Sequence, residues 1–299
     1  MALYTTASTI IRQLIGTYTT AAKYILPMIG YAFALMTIIC GLFIIPAGDP
    51  GSYVAGHVVC GLGLITTCVA TAATSSTRFV LIPRNSEKPD FSPNPAGFSA
   101  NQVQVLTGLA VLVSAIAWIW CICLFAVSNS PKHFVAGSVM LGIACVCTSL
   151  IALVASIARQ VRGTYSMRER GMWMGLVLLM GAVAFVFGLV MIFVHWGETV
   201  NFVGFVLIGL ALICWSISSK VILLAKIWHN TFKLASRIPI IPVVTALACL
   251  FLGAFLFEEA LFKAKYFVPA RVLMGFGAIC FTLFSIVSIL ESGTSKKGA

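Results

Sequence analysis

Tyr53-Val-Ala-Gly-His-Val-Val-Cys-Gly61 opens a long apolar run, and three related nonapeptides open later ones. They are Phe134-Val-Ala-Gly-Ser-Val-Met-Leu-Gly142, Asn201-Phe-Val-Gly-Phe-Val-Leu-Ile-Gly209 and Phe267-Val-Pro-Ala-Arg-Val-Leu-Met-Gly275. We call this nonapeptide the motif. Its copies follow one another at intervals of 81, 67 and 66 residues, which indicates a repeated supersecondary unit.

Two positions of the motif hold small residues. The fourth position carries Gly56, Gly137, Gly204 and Ala270, and the ninth carries Gly61, Gly142, Gly209 and Gly275. Small residues at fixed positions of a lipid-embedded helix allow two backbones to approach closely. We therefore predict that the motif glycines are helix-packing residues, and we expect the same of Gly171 and Gly175.

The composition is that of a membrane protein. Hydrophobic residues make up 60% of the chain, charged residues only 9%, and the mean hydropathy is +1.05, whereas a soluble domain carries about 25% charged residues. Apolar runs of about 20 residues are long enough to cross a bilayer core of about 30 Å. Eight such runs are present, at about 25–45, 54–80, 104–127, 134–158, 171–195, 202–225, 240–258 and 267–290. Because backbone groups in lipid must pair internally, we predict that all eight are helices.

The predicted fold is an all-α polytopic membrane protein of about eight transmembrane helices. Its transmembrane domain, 25–291, consists of four tandem helical hairpins at 25–82, 104–158, 171–225 and 238–291. Successive hairpins share one orientation, so they are predicted to be parallel repeats related by an axis along the membrane normal. We expect the motif helices, which are the even-numbered ones, to form the inner layer and the odd-numbered helices to face lipid.

Basic residues are distributed unequally between the two sides of the predicted bundle. If the N-terminus is cytoplasmic, 15 of the 19 Lys and Arg residues lie on the cytoplasmic side of the predicted bundle. The four on the outer side are Lys132, Lys263, Lys265 and Arg271. Cytoplasmic loops of membrane proteins carry such an excess, which predicts that both termini are inside. Topology therefore accounts for the net charge of +11, and we expect no nucleic-acid partner.

The first 24 residues are predicted to lie along the inner membrane interface rather than to cross the bilayer. Arg12-Gln-Leu-Ile-Gly-Thr-Tyr18 matches Arg159-Gln-Val-Arg-Gly-Thr-Tyr165, which follows the second hairpin. Residues 1–24 thus correspond to an inner loop of the repeated unit, as if one N-terminal hairpin were lacking. Residues 292–299 are predicted to form a cytoplasmic tail.

Ionisable side chains near the outer ends of the helices form the candidate functional polar site. His57 and Arg271 occupy the same motif position, and charges within a membrane span usually face a cavity or a partner. The other members of the site are His133, His195, Glu258 and Glu259. Histidine titrates near pH 6.5, so the set suits a sensor of outside acidity. Snorkelling to the interface and unrelated interfacial hydrogen bonds are the alternatives.

The repeat pattern also predicts a specific arrangement of this site. If the four hairpins close around a common axis, the first and the last become neighbours. His57 and Arg271 then converge near the outer leaflet, and Glu258, Glu259 or a bound anion offsets their repulsion. The alternative is that the two residues lie on opposite, lipid-facing flanks.

Signatures of enzyme chemistry are missing from the sequence. It has no Ser-His-Asp order with a nucleophile elbow, no phosphate-binding loop, no paired carboxylates within a span and no His-x-x-x-His. All ten cysteines fall in predicted helices, where cysteine behaves as a small buried apolar residue. We therefore expect no catalytic residue, no cofactor and no metal site, and we expect that the protein is not an enzyme.

Several stretches together resemble the YhiM-type family of bacterial inner-membrane proteins. They are the motif at 53–61, the stretch from Ser76 to Pro83, Arg237-Ile-Pro-Ile-Ile-Pro-Val243, and the C-terminal run from Arg271 to Gly293. The resemblance covers most of the chain. It implies a multi-pass protein of the bacterial inner membrane linked to survival at low pH, and it implies no catalytic residues. By this resemblance, family members are longer by one N-terminal hairpin.

Three function classes remain open, one of them a membrane enzyme or redox protein. The first is a non-enzymatic inner-membrane protein of the acid or envelope stress response, with transport or conduction of a small solute or of protons as one form of that function. The alternative is an accessory subunit that binds a larger membrane complex or lipid without transport of its own. Membrane lipids are the expected partners, and a further copy of the chain or a larger membrane complex are the candidate protein partners.

The charge distribution predicts the sidedness of the loops. In a cysteine-labelling scan, Asp90→Cys is expected to react with an impermeant thiol reagent from the cytoplasmic side only, because it lies in a predicted inner loop. Asp49→Cys is expected to react from the outer side only. The reverse labelling would show that the bundle is inserted in the opposite orientation.

Overall fold

The computed structural model describes residues 20–47, 49–76, 98–127, 130–193, 198–228, 240–263 and 266–295. Among these residues the structure has eight α-helices: α1 Thr20–Ile44, α2 Pro50–Ser76, α3 Ala100–Val127, α4 Pro131–Val161, α5 Met167–Phe193, α6 Glu198–Trp228, α7 Ile240–Ala260 and α8 Phe267–Ser295. Seven of them are long and apolar enough to span a bilayer, and α8 contributes the shorter apolar stretch Phe267–Phe281. The predicted all-α polytopic fold is confirmed.

The helices pair as consecutive hairpins, and the hairpins form a row. In sequence order, α1 packs on α2, α3 on α4, α5 on α6 and α7 on α8. The even-numbered helices also contact one another in order, α2 with α4, α4 with α6, and α6 with α8. Because consecutive helices run in opposite directions, all four motif copies begin at one end of the bundle, which we call the motif end. Among the described residues α2 has no contact with α8, so the row is open at both ends.

Burial separates the even-numbered helices from the odd-numbered ones. Within the protein, 83% of the α4 span and 78% of the α6 span is buried, against 17% of α1, 28% of α5 and 33% of α3 and α7. The span of α2, at one end of the row, is intermediate at 50%. Large apolar side chains such as Phe43, Phe193 and Phe251 are exposed on the odd-numbered helices, where lipid tails solvate them. The motif helices therefore form the inner layer, as expected.

A close backbone approach at the fourth motif position holds each hairpin together. In the first hairpin, a Cβ built on Gly41 would lie 2.7 Å from the carbonyl oxygen of Gly56. In the third, a Cβ on Gly188 would lie 2.8 Å from the carbonyl oxygen of Gly204. Neither position has room for a side chain, so glycine is required there by space rather than by backbone conformation.

The other two hairpins make the same contact with slightly larger residues. A Cβ on Gly253 in α7 would lie 3.2 Å from the carbonyl oxygen of Ala270 in α8. In the second hairpin, the thiol of Cys121 donates to the carbonyl oxygen of Gly137 over 3.4 Å. The recurrence of one contact in all four hairpins agrees with the repeated unit, which stays a prediction, as does the orientation of the bundle in the membrane.

Gly171, Gly175 and Gly275 depart from the predicted packing role. A Cβ on any of them would meet no atom of the described residues within 4 Å. Gly171 and Gly175 lie on an exposed side of α5, and no described helix lies beyond α8 to cover Gly275. For these three glycines the prediction of a close contact within the chain is therefore wrong.

Several helix ends follow directly from local sequence. Ser99 and Gln102 exchange side-chain to main-chain hydrogen bonds of 2.8 and 3.3 Å at the start of α3. Ser166 and Glu169 do the same at 3.0 and 3.2 Å at the start of α5. Both are capping boxes, which satisfy main-chain N–H groups that have no partner in the first turn. After α4 the chain turns at Gly163, whose φ of 71° favours glycine.

The ends of the chain differ in part from the predicted boundaries. Helix α1 begins at Thr20, inside the segment predicted to be interfacial, and α8 continues to Ser295, inside the predicted tail. No Pro or Gly lies at 20–24 to stop the helix, so it starts ahead of the apolar run. The rest of the interfacial segment (1–19), the proline-rich loop (77–97) and the last four residues (296–299) lie outside the described residues.

Gly204→Ala is expected to destabilise the third hairpin. Its Cβ would lie 2.5 Å from the carbonyl oxygen of Gly188, so two backbones must move apart, at a cost of about 1–3 kcal/mol. The matched control is Gly175→Ala, because a Cβ at position 175 would meet no described atom. Replacing a helical glycine with alanine at such an open position favours folding by up to about 1 kcal/mol. Thermal unfolding in detergent compares the two variants, and a midpoint for Gly204→Ala at or above that of the control contradicts the packing role.

Candidate functional site

His57 lies at the centre of a group of rings at the motif end. Its side chain is only 4% exposed although it lies in the second turn of α2. Nδ1 donates a 2.7 Å hydrogen bond to the main-chain oxygen of Tyr53. Because a carbonyl oxygen only accepts, Nδ1 carries the proton, and Nε2 is the basic nitrogen of the neutral ring. The Tyr53 ring covers the imidazole, with 4.4 Å between centroids.

Helices α3 and α4 supply the remaining members of this group. Trp120 of α3 meets the His57 ring edge-on, at 5.7 Å between centroids. His133 of α4 meets the Tyr53 ring edge-on at 5.1 Å, and Nζ of Lys132 lies 5.1 Å from the centroid of the same ring. We call these five side chains, Tyr53, His57, Trp120, Lys132 and His133, the imidazole cluster. It joins α2, α3 and α4 at the motif end.

The imidazole cluster combines two ionisable imidazoles with a lysine ammonium group. Lys132 over the Tyr53 ring is a cation–π contact, worth about 0.5–1 kcal/mol at an exposed site. Among the described residues, neither Lys132 nor His57 forms an ion pair with a carboxylate. Protonation of both imidazoles therefore adds two positive charges beside an existing one, and the cluster can respond to proton concentration.

Asp49 caps α2 beside the imidazole cluster. Hydrogen bonds from the hydroxyl and the main-chain N–H of Ser52, the latter 2.7 Å long, hold the pKa of this exposed carboxyl below its ordinary value. Because the folded-state pKa is the lower one, the cap contributes stability above the ordinary value of 3.8 and loses it as the pH falls through the folded-state value. The cap is therefore intact over the range in which histidines titrate.

Arg271 lies apart from the imidazole cluster. The prediction that it converges with His57 is wrong, because the hairpins form an open row and α8 does not touch α2 among the described residues. Arg271 is exposed, and its guanidinium carbon lies 3.8 Å from the centroid of the Phe267 ring, one turn earlier on α8. The guanidinium thus has an aromatic face as its neighbour, and the predicted pairing of the two motif positions is absent.

The acidic members of the predicted site do not join Arg271 either. Glu258 and Glu259, at the end of α7, form no ion pair with it, although all three side chains are described. His195 lies outside the described residues. Of the predicted site, the structure brings together His57 and His133. Their link is Tyr53, which sequence reasoning missed although it precedes His57 by one helical turn and opens the motif.

Lys220, one of the 15 basic residues predicted to lie on the inner side, is buried. It is 7% exposed within α6, and its Nζ donates to the main-chain oxygen of Ser216 over 3.5 Å. None of the described carboxylates pairs with it. The hydroxyl of Ser216 has no hydrogen-bond partner in the described structure. The signal was present in the sequence, because Lys220 interrupts the apolar span Asn201–Lys226.

Lys220→Met is expected to raise thermal stability. A buried cation without an acid partner is costly to desolvate, and an apolar side chain of similar length removes that cost. Arg168→Met, at an exposed position at the start of α5, is the control and should change the unfolding midpoint little. Melting curves in detergent measure both variants. A lowered midpoint for Lys220→Met would show that the charge stabilises the fold.

Comparisons with known proteins agree with this architecture. The family model described as "Protein of unknown function (DUF2776)" matches residues 1–295. The "Inner membrane protein YhiM" of Escherichia coli (strain K12) is 44% identical over 301 residues, which cover 99% of this chain and 86% of that protein. No solved structure matches the chain. The similarity and the membrane-spanning helices together identify a multi-pass inner-membrane protein, and the chain belongs to the DUF2776 family.

Proposed function

We propose that this inner-membrane protein is non-enzymatic and acid-responsive, and that the imidazole cluster is its sensor. The observation that carries the proposal is the burial of His57, 4% exposed, beneath the Tyr53 ring that also contacts His133 and Lys132. Two imidazoles around one aromatic ring can each bind a proton, so acidification raises the total charge of the cluster.

The groups that face His57 determine the sign of the response. From α4 they are His133 and Lys132, from α3 the uncharged Trp120, and from its own helix Tyr53. Acidification turns one positive charge into three, whereas the carboxylate of Asp49 at the start of α2, which is hydrogen-bonded to Ser52, supplies a single negative charge. Like charges repel, so acid favours any arrangement of the bundle in which the starts of α2 and α4 lie farther apart.

The position of His57 connects this repulsion to the inner layer. His57 lies one turn before Gly61, and Ile143 of α4 packs against Gly61. Separation of α2 from α4 at the imidazole cluster therefore acts on the contact that joins the first hairpin to the rest of the row. A proton that binds one arrangement more tightly than another shifts the population toward it, which is the physical form of the proposed response.

Transport or conduction of a small solute or of protons is the form of this function that Lys220 supports. An ionisable group within a span, buried and without an acid partner, is the usual mark of an ion or proton pathway. Lys220 lies in α6, one of the inner helices, near the end of the bundle opposite the imidazole cluster. The two features together provide a proton-sensitive group at one end and a buried charge toward the other.

An accessory subunit of a larger membrane complex is the second candidate function. The observation that favours it is the open end of the row at α8, where Phe267, Val268 and Met274 are exposed. A partner polypeptide that co-purifies with the native protein in a fixed ratio would support this alternative. An accessory subunit of this kind would not need the imidazole cluster.

Tryptophan emission tests the proposed sensor directly. Trp120 lies 5.7 Å from His57, and a protonated imidazole quenches a neighbouring indole. Emission of the purified protein in lipid nanodiscs is expected to fall as the pH is lowered from about 8 to about 5. Because Trp196 and Trp228 each have a histidine beside them in the chain, part of the fall is independent of His57. His57→Phe and Trp120→Phe should remove the same remaining part, and His229→Phe, the control at the fourth histidine of the chain, should keep that part.

The same variants have an expected outcome in cells. His57→Phe should lower survival at acidic external pH while the amount of protein in the membrane is unchanged, and His229→Phe should not. Quenching that is undiminished in His57→Phe, or survival equal to that of the unaltered protein, would show that His57 is a packing residue and that the acid response lies elsewhere.

A further inference from the structure

The even-numbered helices use one recurrent contact to pack on each other. The ninth motif residue is a glycine, and the gap left by its missing side chain is filled by a side chain of the next even-numbered helix. That side chain belongs to the residue directly after the ninth motif glycine of its own helix. Ile143 of α4 packs against Gly61 of α2. We call the glycine the socket and the side chain that fills it the knob. In this contact the knob follows Gly142, which is itself the socket of α4.

The contact repeats along the row with the same register. Leu210 of α6 fills the socket at Gly142, with its Cδ1 2.5 Å from a Cβ built there. Phe276 of α8 fills the socket at Gly209, with its Cδ2 2.5 Å from a Cβ built there. Each of the three contacts therefore takes its socket from one motif copy and its knob from the next copy along the chain.

Four sockets and four knobs make three contacts, so one of each is left over. The leftover socket is Gly275 of α8, which is exposed and has no described atom within 4 Å of the position its Cβ would take. The leftover knob is Leu62 of α2, which is 37% exposed. They lie at opposite ends of the row, and the exposed Leu62 side chain is of the kind that fills the other sockets.

The charges at the two ends are also complementary. Inside the chain, Lys132 and His133 at the start of α4 reach the Tyr53 ring of the preceding copy. The equivalent ring at the other end is Phe267, which already holds the Arg271 guanidinium at 3.8 Å. The positions that correspond to Lys132 and His133, 81 residues earlier, are 51 and 52 at the start of α2. The exposed carboxylate of Asp49 lies there, hydrogen-bonded to the N–H of Ser52 at 2.7 Å.

We propose that α8 of one copy of this chain packs against α2 of a second copy, with Leu62 in the socket at Gly275 and Asp49 beside Arg271. The contact continues the row by the same step that joins α2 to α4, α4 to α6 and α6 to α8. It keeps both copies in one orientation in the membrane, and it does not depend on the acid response. Because it joins two different surfaces, copies associate head to tail.

A second copy fits this face better than lipid or another protein does. In lipid, helices associate through close packing rather than through the removal of apolar surface from water, so an unfilled socket marks a missing side chain. The chain itself carries the matching side chain at the matching register. It also carries a carboxylate for the guanidinium, whereas the tails of lipids offer neither group.

Socket filling is the first test. Gly275→Leu is expected to leave the folded monomer intact, because its Cβ meets nothing, and to weaken self-association about tenfold or more by overpacking the contact. Gly171→Leu, on α5, is equally open and serves as the control, with association unchanged. The measurement is dilution of donor- and acceptor-labelled protein in liposomes, read as energy transfer, with the unfolding midpoint of each variant as a check on folding.

Cross-linking tests which surfaces meet. In a background with the exposed Cys40 and Cys123 replaced by serine, one population carries Leu62→Cys and the other Ala278→Cys, one turn from Gly275. A short bismaleimide is expected to give dimers when the two populations are co-expressed and none when either is expressed alone. Dimers from one population alone would mean a two-fold contact and overturn the proposal.

Exchange of the two charges distinguishes the contribution of the proposed Asp49–Arg271 ion pair to self-association from that of helix packing. Arg271→Glu and Asp49→Lys are each expected to weaken association, and the double variant to recover part of the loss. A chain that stays monomeric at every density in liposomes overturns the proposal. So does association that Gly275→Leu leaves unchanged, or an unrelated polypeptide that protects Ala278→Cys from labelling in native membranes.

Discussion

Close contact between helix backbones is the constraint on which the rest of this structure depends. Helices in lipid gain little from burying apolar surface, so they adhere where backbones can approach. Gly188 and Gly204 show how strict the requirement is, since a Cβ on either would lie within 2.8 Å of the other's carbonyl oxygen. The contact fixes the two helices of a hairpin in register. Once the register is fixed, the ninth motif glycine of each even-numbered helix lies level with the side chain that packs against it from the next even-numbered helix.

That register decides where the ionisable residues lie. His57 and Arg271 occupy the same motif position, yet one is 4% exposed and the other lies on an open face. The difference is the presence of a following hairpin. His57 is covered by α3 and α4, which come after it, whereas Arg271 is on the last motif helix and has the Phe267 ring as its neighbour. Equivalent positions in a row are therefore equivalent in geometry but not in environment.

Polar groups inside the bundle follow the same logic of local satisfaction. Threonine and serine hydroxyls such as those of Thr71, Ser149 and Ser156 donate to the carbonyl oxygen one turn earlier, which removes the cost of an unpaired hydroxyl in an apolar surrounding. Lys220 makes the same kind of bond to Ser216 but carries an ionisable amine instead of a hydroxyl. Its burial is the clearest departure from a purely structural interior, because an apolar side chain would fill the same space at lower cost.

The sequence by itself determined the eight helices, the membrane class and the inner position of the motif helices, since hydropathy, run length and the spacing of small residues fix these locally. It also singled out His57 and His133, because an ionisable residue inside an apolar run or directly before one is visible without a structure. Only the tertiary structure decided that these two meet through Tyr53, that Lys220 is buried, and that the row stays open so that Arg271 remains apart. Tyr53 and His133 are 80 positions apart in the chain. Contacts over such separations depend on which helix faces are already occupied, and no local pattern encodes that occupancy.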